Sequence, residues 1–124
     1  MSIPTDRQYT AEHEWVQLDA GTATVGVTAY ATDALGDVVY LDLPAVGSEV
    51  VAGQPCGEIE STKSVSELYS PVTGTISRIN DAAVEAPEVV NADPYGEGWL
   101  FAVTVEAEGP LLDAEAYTAL TDQG

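Results

Sequence analysis

Short runs of β-branched and apolar residues alternate along this chain with glycine, proline and Asn/Asp punctuation, and no run keeps one period for long. Residues 13–18 predict a first strand, Asp19-Ala20-Gly21 a turn, and the Thr/Val-rich residues 22–27 a returning strand. Thr28 is placed to cap a short helix running to Leu35, with Gly36 where a helix end favours a left-handed residue. Residues 38–43 (Val-Val-Tyr-Leu-Asp-Leu) predict a strand that Pro44 and Gly47 then break. Residues 49–52, 57–60, 65–69 and 75–79 follow as short strands, with Ser61-Thr62-Lys63-Ser64 as a polar tip and turns at Ser70-Pro71, Thr73-Gly74 and Asn80-Asp81. Residues 82–90 hold a further pair of short apolar elements around Pro87, residues 91–96 a dense turn cluster, and residues 99–105 a last strand. Asp113 caps a C-terminal helix over 114–120, whose Ala116, Tyr117 and Leu120 fall at helical spacing and are expected to face the sheet. The sum is a mostly β chain with two small helices.

Residues 46–53 and 79–86 flank the tip, and each reads as a turn leading to a short strand that ends in a small residue. Their likeness predicts two sheets related by a pseudo-twofold, with Lys63 at the crossover. Regular short strands describe many sandwiches and barrels as well.

The length, 124 residues, fits one domain spanning 1–124. A hydrophobic fraction of 45% excludes a disordered acidic tail, and the apolar runs are too short to span a membrane. Charge changes the picture most: 21 acidic residues stand against 3 basic ones, a formal net charge of -18. Three cations cannot neutralise a phosphate backbone, which excludes nucleic acid. The acids are scattered along the chain, as in a solvated shell whose self-repulsion is screened within about 3 Å at 1 M salt. This points to the salt-rich cytoplasm of a halophilic prokaryote; the rival is an acidic face for a basic partner. Cys56 is the single cysteine, so no intrachain disulfide or cysteine-based metal site can form, and a buried structural thiol is expected. The segment 1–10 lacks the apolar core of a signal peptide and the cations of a transit peptide.

Lys63 is the only lysine. A chain that sheds cations has kept this one, between Thr62 and Ser64 at a hairpin tip. An exposed amine on a rigid tip suits covalent attachment of a carboxylated cofactor. From spacing alone it reads equally as an ordinary lysine blunting a strand edge.

The surrounding residues favour attachment. Gly57-Glu58-Ile59-Glu60-Ser61-Thr62-Lys63-Ser64, followed by Ser70-Pro71-Val72-Thr73-Gly74, resembles the attachment hairpin of the biotinyl/lipoyl family. Biotin carriers usually place methionines beside the lysine, so Thr62 and Ser64 disfavour biotin. Tyr9-Thr10, His13-Glu14-Trp15-Val16, Gly26-Val27-Thr28 and Leu35-Gly36-Asp37-Val38-Val39 resemble glycine cleavage H-proteins. So do Leu43-Pro44-x-Val46-Gly47, Val90-Asn91-x-Asp93-Pro94-Tyr95-Gly96-x-Gly98-Trp99-Leu100 and Leu111-Leu112-x-Ala114-x-x-Tyr117. The resemblance covers residues 8–120.

That resemblance implies a barrel-sandwich hybrid of two small antiparallel sheets with short helices. It also implies a carrier, not a catalyst, with lipoate on Lys63. The implied partners are a pyridoxal-phosphate glycine decarboxylase, an aminomethyltransferase and a dihydrolipoamide dehydrogenase. A lipoate ligase, or a lipoyl synthase with an octanoyltransferase, would load the arm. Glu14 and Glu67 resemble acidic positions beside the family's lipoyl pocket, where a carboxylate can hold the aminomethyl ammonium; both also read as ordinary surface acids. Glu60 is assigned to recognition by the loading enzyme. His13, the only histidine, is expected to be a structural strand residue, Trp15 and Trp99 core aromatics, and Arg78 the partner of an acid. No catalytic residue or metal ligand is expected. The alternatives are a lipoate donor to 2-oxoacid dehydrogenases, an unmodified structural homologue and a biotin carrier.

Overall fold

The computed structural model describes residues 4–109 and 111–122, so residues 1–3 of the N-terminal segment lie outside the description. Among the described residues nine strands form two antiparallel sheets. The larger runs β1 (Gln8–Tyr9), β2 (Glu14–Asp19), β3 (Thr22–Val27), β9 (Phe101–Glu108), β8 (Val72–Ile79), β5 (Glu49–Val50); the smaller runs β4 (Val38–Asp42), β6 (Pro55–Ser61), β7 (Val65–Tyr69). The helices are α1 (Ala29–Leu35), α2 (Asp81–Glu85), α3 (Glu88–Ala92) and α4 (Ala114–Asp122). The expected barrel-sandwich class holds: mostly β, with a C-terminal helix.

Strand alternation builds the main core between the sheets. In β3 Ala23, Val25 and Val27 are buried, and in β8 Val72 and Ile76 are; they meet Leu41, Ile59 and Leu68 of the small sheet. In β4 a register shift between Val38 and Tyr40 breaks the period. Val38 and Leu41 therefore both turn inward, leaving Val39 and Tyr40 more than half exposed. A second cluster of Tyr9, Trp15 and Tyr117 carries α4: Tyr9 stacks on Tyr117 with ring centroids 4.8 Å apart, and paired backbone bonds of 2.7 Å join Tyr9 to Leu112.

Several expectations fail. The chain has four helices among the described residues, not two. Residues 79–86, read as a turn leading to a short strand, hold α2, whose first turn Asn80 caps by accepting the Ala83 N–H. Helices of five residues are too short to show a period, and the strand-level pseudo-symmetry goes with them. Thr73-Gly74 is not a turn but part of β8, at a bulge where a Cβ on Gly74 would lie 2.0 Å from the Thr104 carbonyl oxygen. β5 stops at Val50 because the Ala52 N–H bonds the Thr73 hydroxyl instead of a ladder carbonyl. In α4 Tyr117 is buried, whereas Ala116 and Leu120 are exposed. His13 lies before β2 with φ 68, outside the strand. Among the described residues Arg78 pairs with no acid; its guanidinium lies 5.0 Å from the ring centre of half-buried Trp99.

Candidate functional site

The β6–β7 hairpin positions Lys63. Glu60 pairs with Val65 at its mouth, leaving Ser61 to Ser64 to turn the chain. Ser61 organises that turn with its side chain, as short hydroxyl residues do where they compete with backbone ladders. Its Oγ accepts the N–H groups of Lys63 (3.2 Å) and Ser64 (3.1 Å) and donates to the Ser64 carbonyl (3.1 Å). The Ser61 N–H donates to the same carbonyl over 2.8 Å. The turn is fixed through its backbone while the Lys63 side chain stays exposed.

A second segment supports the tip from below. The Thr62 N–H donates to the Asp37 carbonyl over 3.0 Å. Gly36 ends α1 at φ 82, ψ -155, a region open essentially to glycine alone. A Cβ there would lie 3.3 Å from Lys63 Cε and 3.7 Å from Thr62 Oγ1. Asn91 of α3 clamps this segment, donating to the Gly36 carbonyl (2.9 Å) and accepting the Val38 N–H (2.8 Å). Neither role is legible from spacing. The only trace is that Asn91 and Gly36 each stand in a motif segment quoted above.

Beside the hairpin lies a cavity of about 130 Å³, walled by Val27, Ala31, Ala34 and Leu35 on the α1 side and by Ile59, Ser66 and Leu68 on the other. Glu12, Glu14 and Glu67 border it. A neighbouring, largely apolar cavity of about 210 Å³, between Thr10, Tyr69, Ser70 and Leu112, shares Glu12 and Glu14. The fold thus brings Glu14 and Glu67 to one cavity. Glu12, which sequence reasoning passed over, joins them as the near neighbour of Glu14 on the approach to β2.

The acids differ in environment. Glu14 is 2% exposed. Its Oε2 accepts the Tyr69 N–H over 2.6 Å and its Oε1 the Thr10 hydroxyl over 3.3 Å. Burial pushes its pKa up to about 8, with the two hydrogen bonds opposing. Glu67 is exposed and pairs across the sheet with Glu58, which pairs with Asp42, so three carboxylates share one outward row. The Glu67 carboxylate beside the Tyr69 hydroxyl raises that phenol's pKa. Glu60 stands in the adjacent outward row between the exposed Tyr40 and Val65, three residues before Lys63. Acids scattered in sequence are therefore gathered in space on this face. Half-buried Cys56 packs on the core, and burial pushes its thiol up to about 12, which makes it a poor nucleophile. Trp15 is buried, with its Nε1–H donating to the Pro94 carbonyl over 2.8 Å.

Among the described residues no three His, Cys, Asp or Glu side chains are grouped to hold a metal, and no helix is long and apolar enough to cross a membrane. The arrangement can present one amine on a stiff tip beside an apolar cavity rimmed with carboxylates. For lipoate the residues fit: the amine of the one lysine to form the amide, and an apolar space with an acidic rim next to it.

Comparison with known proteins agrees over the whole chain. The family model described as "Glycine cleavage H-protein" matches residues 7–124. The glycine cleavage system H protein of Beutenbergia cavernae is 61% identical over 121 residues, covering 98% of each chain. That of Thermobifida fusca is 58% identical over 123 residues, again 98% of each. The crystal structure of a glycine cleavage system H protein from Mycobacterium marinum superposes with a TM-score of 0.94 at 47% identity, over 97% of this chain and 99% of that one. With this tip, fold and end-to-end similarity, the chain belongs to the glycine cleavage H-protein family.

Proposed function

We propose that Lys63 carries the lipoyl arm, joined to its Nζ by an amide. As a family member the chain is the lipoyl carrier of glycine cleavage and not itself a catalyst. The observation behind the assignment is that the chain's only lysine stands exposed on a turn held by four hydrogen bonds centred on Ser61 and by the Asp37 carbonyl below it. When attached, lipoate supplies the dithiolane sulfur that accepts the aminomethyl group of glycine and later yields it.

The residues around the α1 cavity then shelter the cargo. Glu14 is uncharged for most of the time at pH 7 because burial holds its pKa near 8. A cationic ammonium about 4 Å away is worth about 4 kcal/mol at an effective dielectric of 20, or about 3 pKa units. That exceeds the gap between 8 and 7, so Glu14 ionises when a cation arrives and stays neutral in its absence. Glu67, exposed at the cavity edge, is a second acceptor. Glu60 and its row serve recognition by the enzyme that loads the arm, a lipoate ligase or a lipoyl synthase with an octanoyltransferase. The wider partners are the glycine decarboxylase, the aminomethyltransferase and a dihydrolipoamide dehydrogenase. The acidic surface suits the salt-rich cytoplasm of a halophile, where the Asp42–Glu58–Glu67 row is screened.

The test is the exchange of bicarbonate with the glycine carboxyl, driven by the decarboxylase. Lys63→Arg keeps the charge and removes the amine that can be acylated. The expected result is loss of exchange to background; retained exchange overturns the assignment.

A further inference from the structure

One hydrogen-bonded chain links His13, α4 and the first turn of α1. The Ala31 N–H donates to Thr28 Oγ1 over 3.2 Å. Thr28 Oγ1 lies 2.7 Å from the Tyr117 hydroxyl, which lies 2.8 Å from Nδ1 of His13. Thr28 is 0% and Tyr117 1% exposed, so neither hydroxyl can turn to water. Among the described residues Thr28 Oγ1 has no other partners, and the Thr28 backbone N–H is already given to the His13 carbonyl.

Counting protons gives the chain a direction. A backbone N–H only donates, so Thr28 Oγ1 accepts from Ala31. If Nδ1 of His13 carries a bare lone pair, Tyr117 donates to it, Thr28 donates to Tyr117, and every hydrogen has an acceptor. If Nδ1 carries a proton, it donates to Tyr117. The Tyr117 hydrogen then turns back on Thr28, and the Thr28 hydrogen has nowhere to go. A buried donor left this way is costly. The relay therefore holds together only with neutral His13, protonated at Nε2.

What the relay holds is α1. Thr28 is its N-cap, and Ala31 both donates the cap bond and lines the cavity. The far end of the helix, Gly36, lies against the Lys63 side chain. We propose that His13, Tyr117 and Thr28 form a proton-read latch on α1, with His13 and Tyr117 as positioning residues: neutral His13 fastens the cavity wall, and protonation at Nδ1 releases its first turn. The latch deepens the sheltering role given above to the α1 cavity and rests on it. Among the described residues two rings pack on the imidazole and one carboxylate acts on it. Tyr30 of α1 packs at 4.5 Å between centroids, Tyr117 of α4 sits edge-on at 5.7 Å, and Glu12 lies next to it in the chain. Burial opposes the cation and Glu12 favours it; burial prevails, lowering the His13 pKa from 6.5.

NMR on the full, unloaded chain tests the latch. The imidazole of His13 and the exchange protection of the Ala31 amide, corrected for intrinsic chemistry, are followed as pH falls from neutrality through the His13 titration at constant high salt. The expected result is one midpoint for both, with Ala31 protection dropping at least about tenfold as one buried hydroxyl loses its acceptor. His13→Gln should abolish the step, and Tyr117→Phe should leave Ala31 poorly protected at every pH. An Ala31 amide that ignores the His13 midpoint in the wild type overturns the latch, and this reading needs no variant to fold. Loss of formaldehyde from the aminomethyl-loaded chain is measured over the same range. If Ala31 steps and cargo loss in wild type and His13→Gln runs alike, the latch stands and the sheltering cavity falls. If cargo loss steps while Ala31 does not, the latch falls.

Discussion

The backbone N–H of Tyr69 donates to the Glu14 carboxyl over 2.6 Å, fastening the end of the strand that returns from Lys63 to the start of β2. One side chain thus closes the hairpin's base and borders both cavities. Because its folded pKa, about 8, lies above the ordinary 4.5, the folded state holds this proton more tightly than the unfolded chain. The stability linked to that proton is full below 4.5 and is lost as pH rises through 8, at up to about 1.4 kcal/mol per pH unit. Thermal unfolding across this range should show wild type weakening with rising pH relative to Glu14→Gln. Parallel curves would mean that Glu14 is not held protonated.

Glu14 and Glu67 also make a kinetic prediction. A charged hydrogen bond contributes about 1.5–3 kcal/mol, or roughly tenfold to a hundredfold in rate. In molar salt, formaldehyde loss from the loaded chain should accelerate by about that factor in Glu14→Gln. The effect should be smaller in Glu67→Gln, whose side chain sits on the outward row, and absent in Asp42→Asn. Equal rates in all four proteins would remove the carboxylates from the account.

The support beneath the tip rests on Asn91. Asn91→Ala leaves the Val38 N–H without its acceptor in a residue only 4% exposed, at a cost of about 1–3 kcal/mol. Asn91→Asp keeps the acceptor and loses the donor to the Gly36 carbonyl. Denaturant unfolding should rank wild type above Asp and Asp above Ala at alkaline pH, and lipoylation of Lys63 should slow in the same order. Unchanged stability in Asn91→Ala would show that the clamp holds nothing.

Like charges directly opposed across strands destabilise a sheet. The Asp42–Glu58–Glu67 row should therefore make salt dependence local as well as global. Glu58→Gln, at the centre of the row, should raise the melting temperature at millimolar salt. At 1 M, where screening reaches about 3 Å, it should do little. A wild-type melting temperature independent of salt would contradict the reading of a chain adapted to salt.

What could be read along the chain was whatever is written locally. Thr28 and Gly36 bracket α1 as their chemistry requires, with Thr28 accepting the Ala31 N–H and Gly36 in its glycine-only conformation. The hairpin strands around Lys63 carry their turn residues beside them. Long-range partners were illegible. Val39 faces water because of a bulge, and Arg78 turns to Trp99 across the sheet. The Glu58–Glu67 neighbourhood exists only once the register is known. His13 closes a turn onto the Thr10 carbonyl at φ 68, ahead of the strand, and its side-chain partners on α1 and α4 lie far along the chain.

Every role proposed for the cavity and the acidic rows depends on one residue, Lys63, carrying the arm. Intact mass and peptide mapping of the protein made in its own host, or loaded with lipoate by a ligase, test it most directly. The expected result is a single mass increment of one lipoyl group, mapped to the peptide containing Lys63, and no increment in Lys63→Arg. A lipoyl group on any other residue, or a native protein that activates the decarboxylase while wholly unmodified, would contradict it.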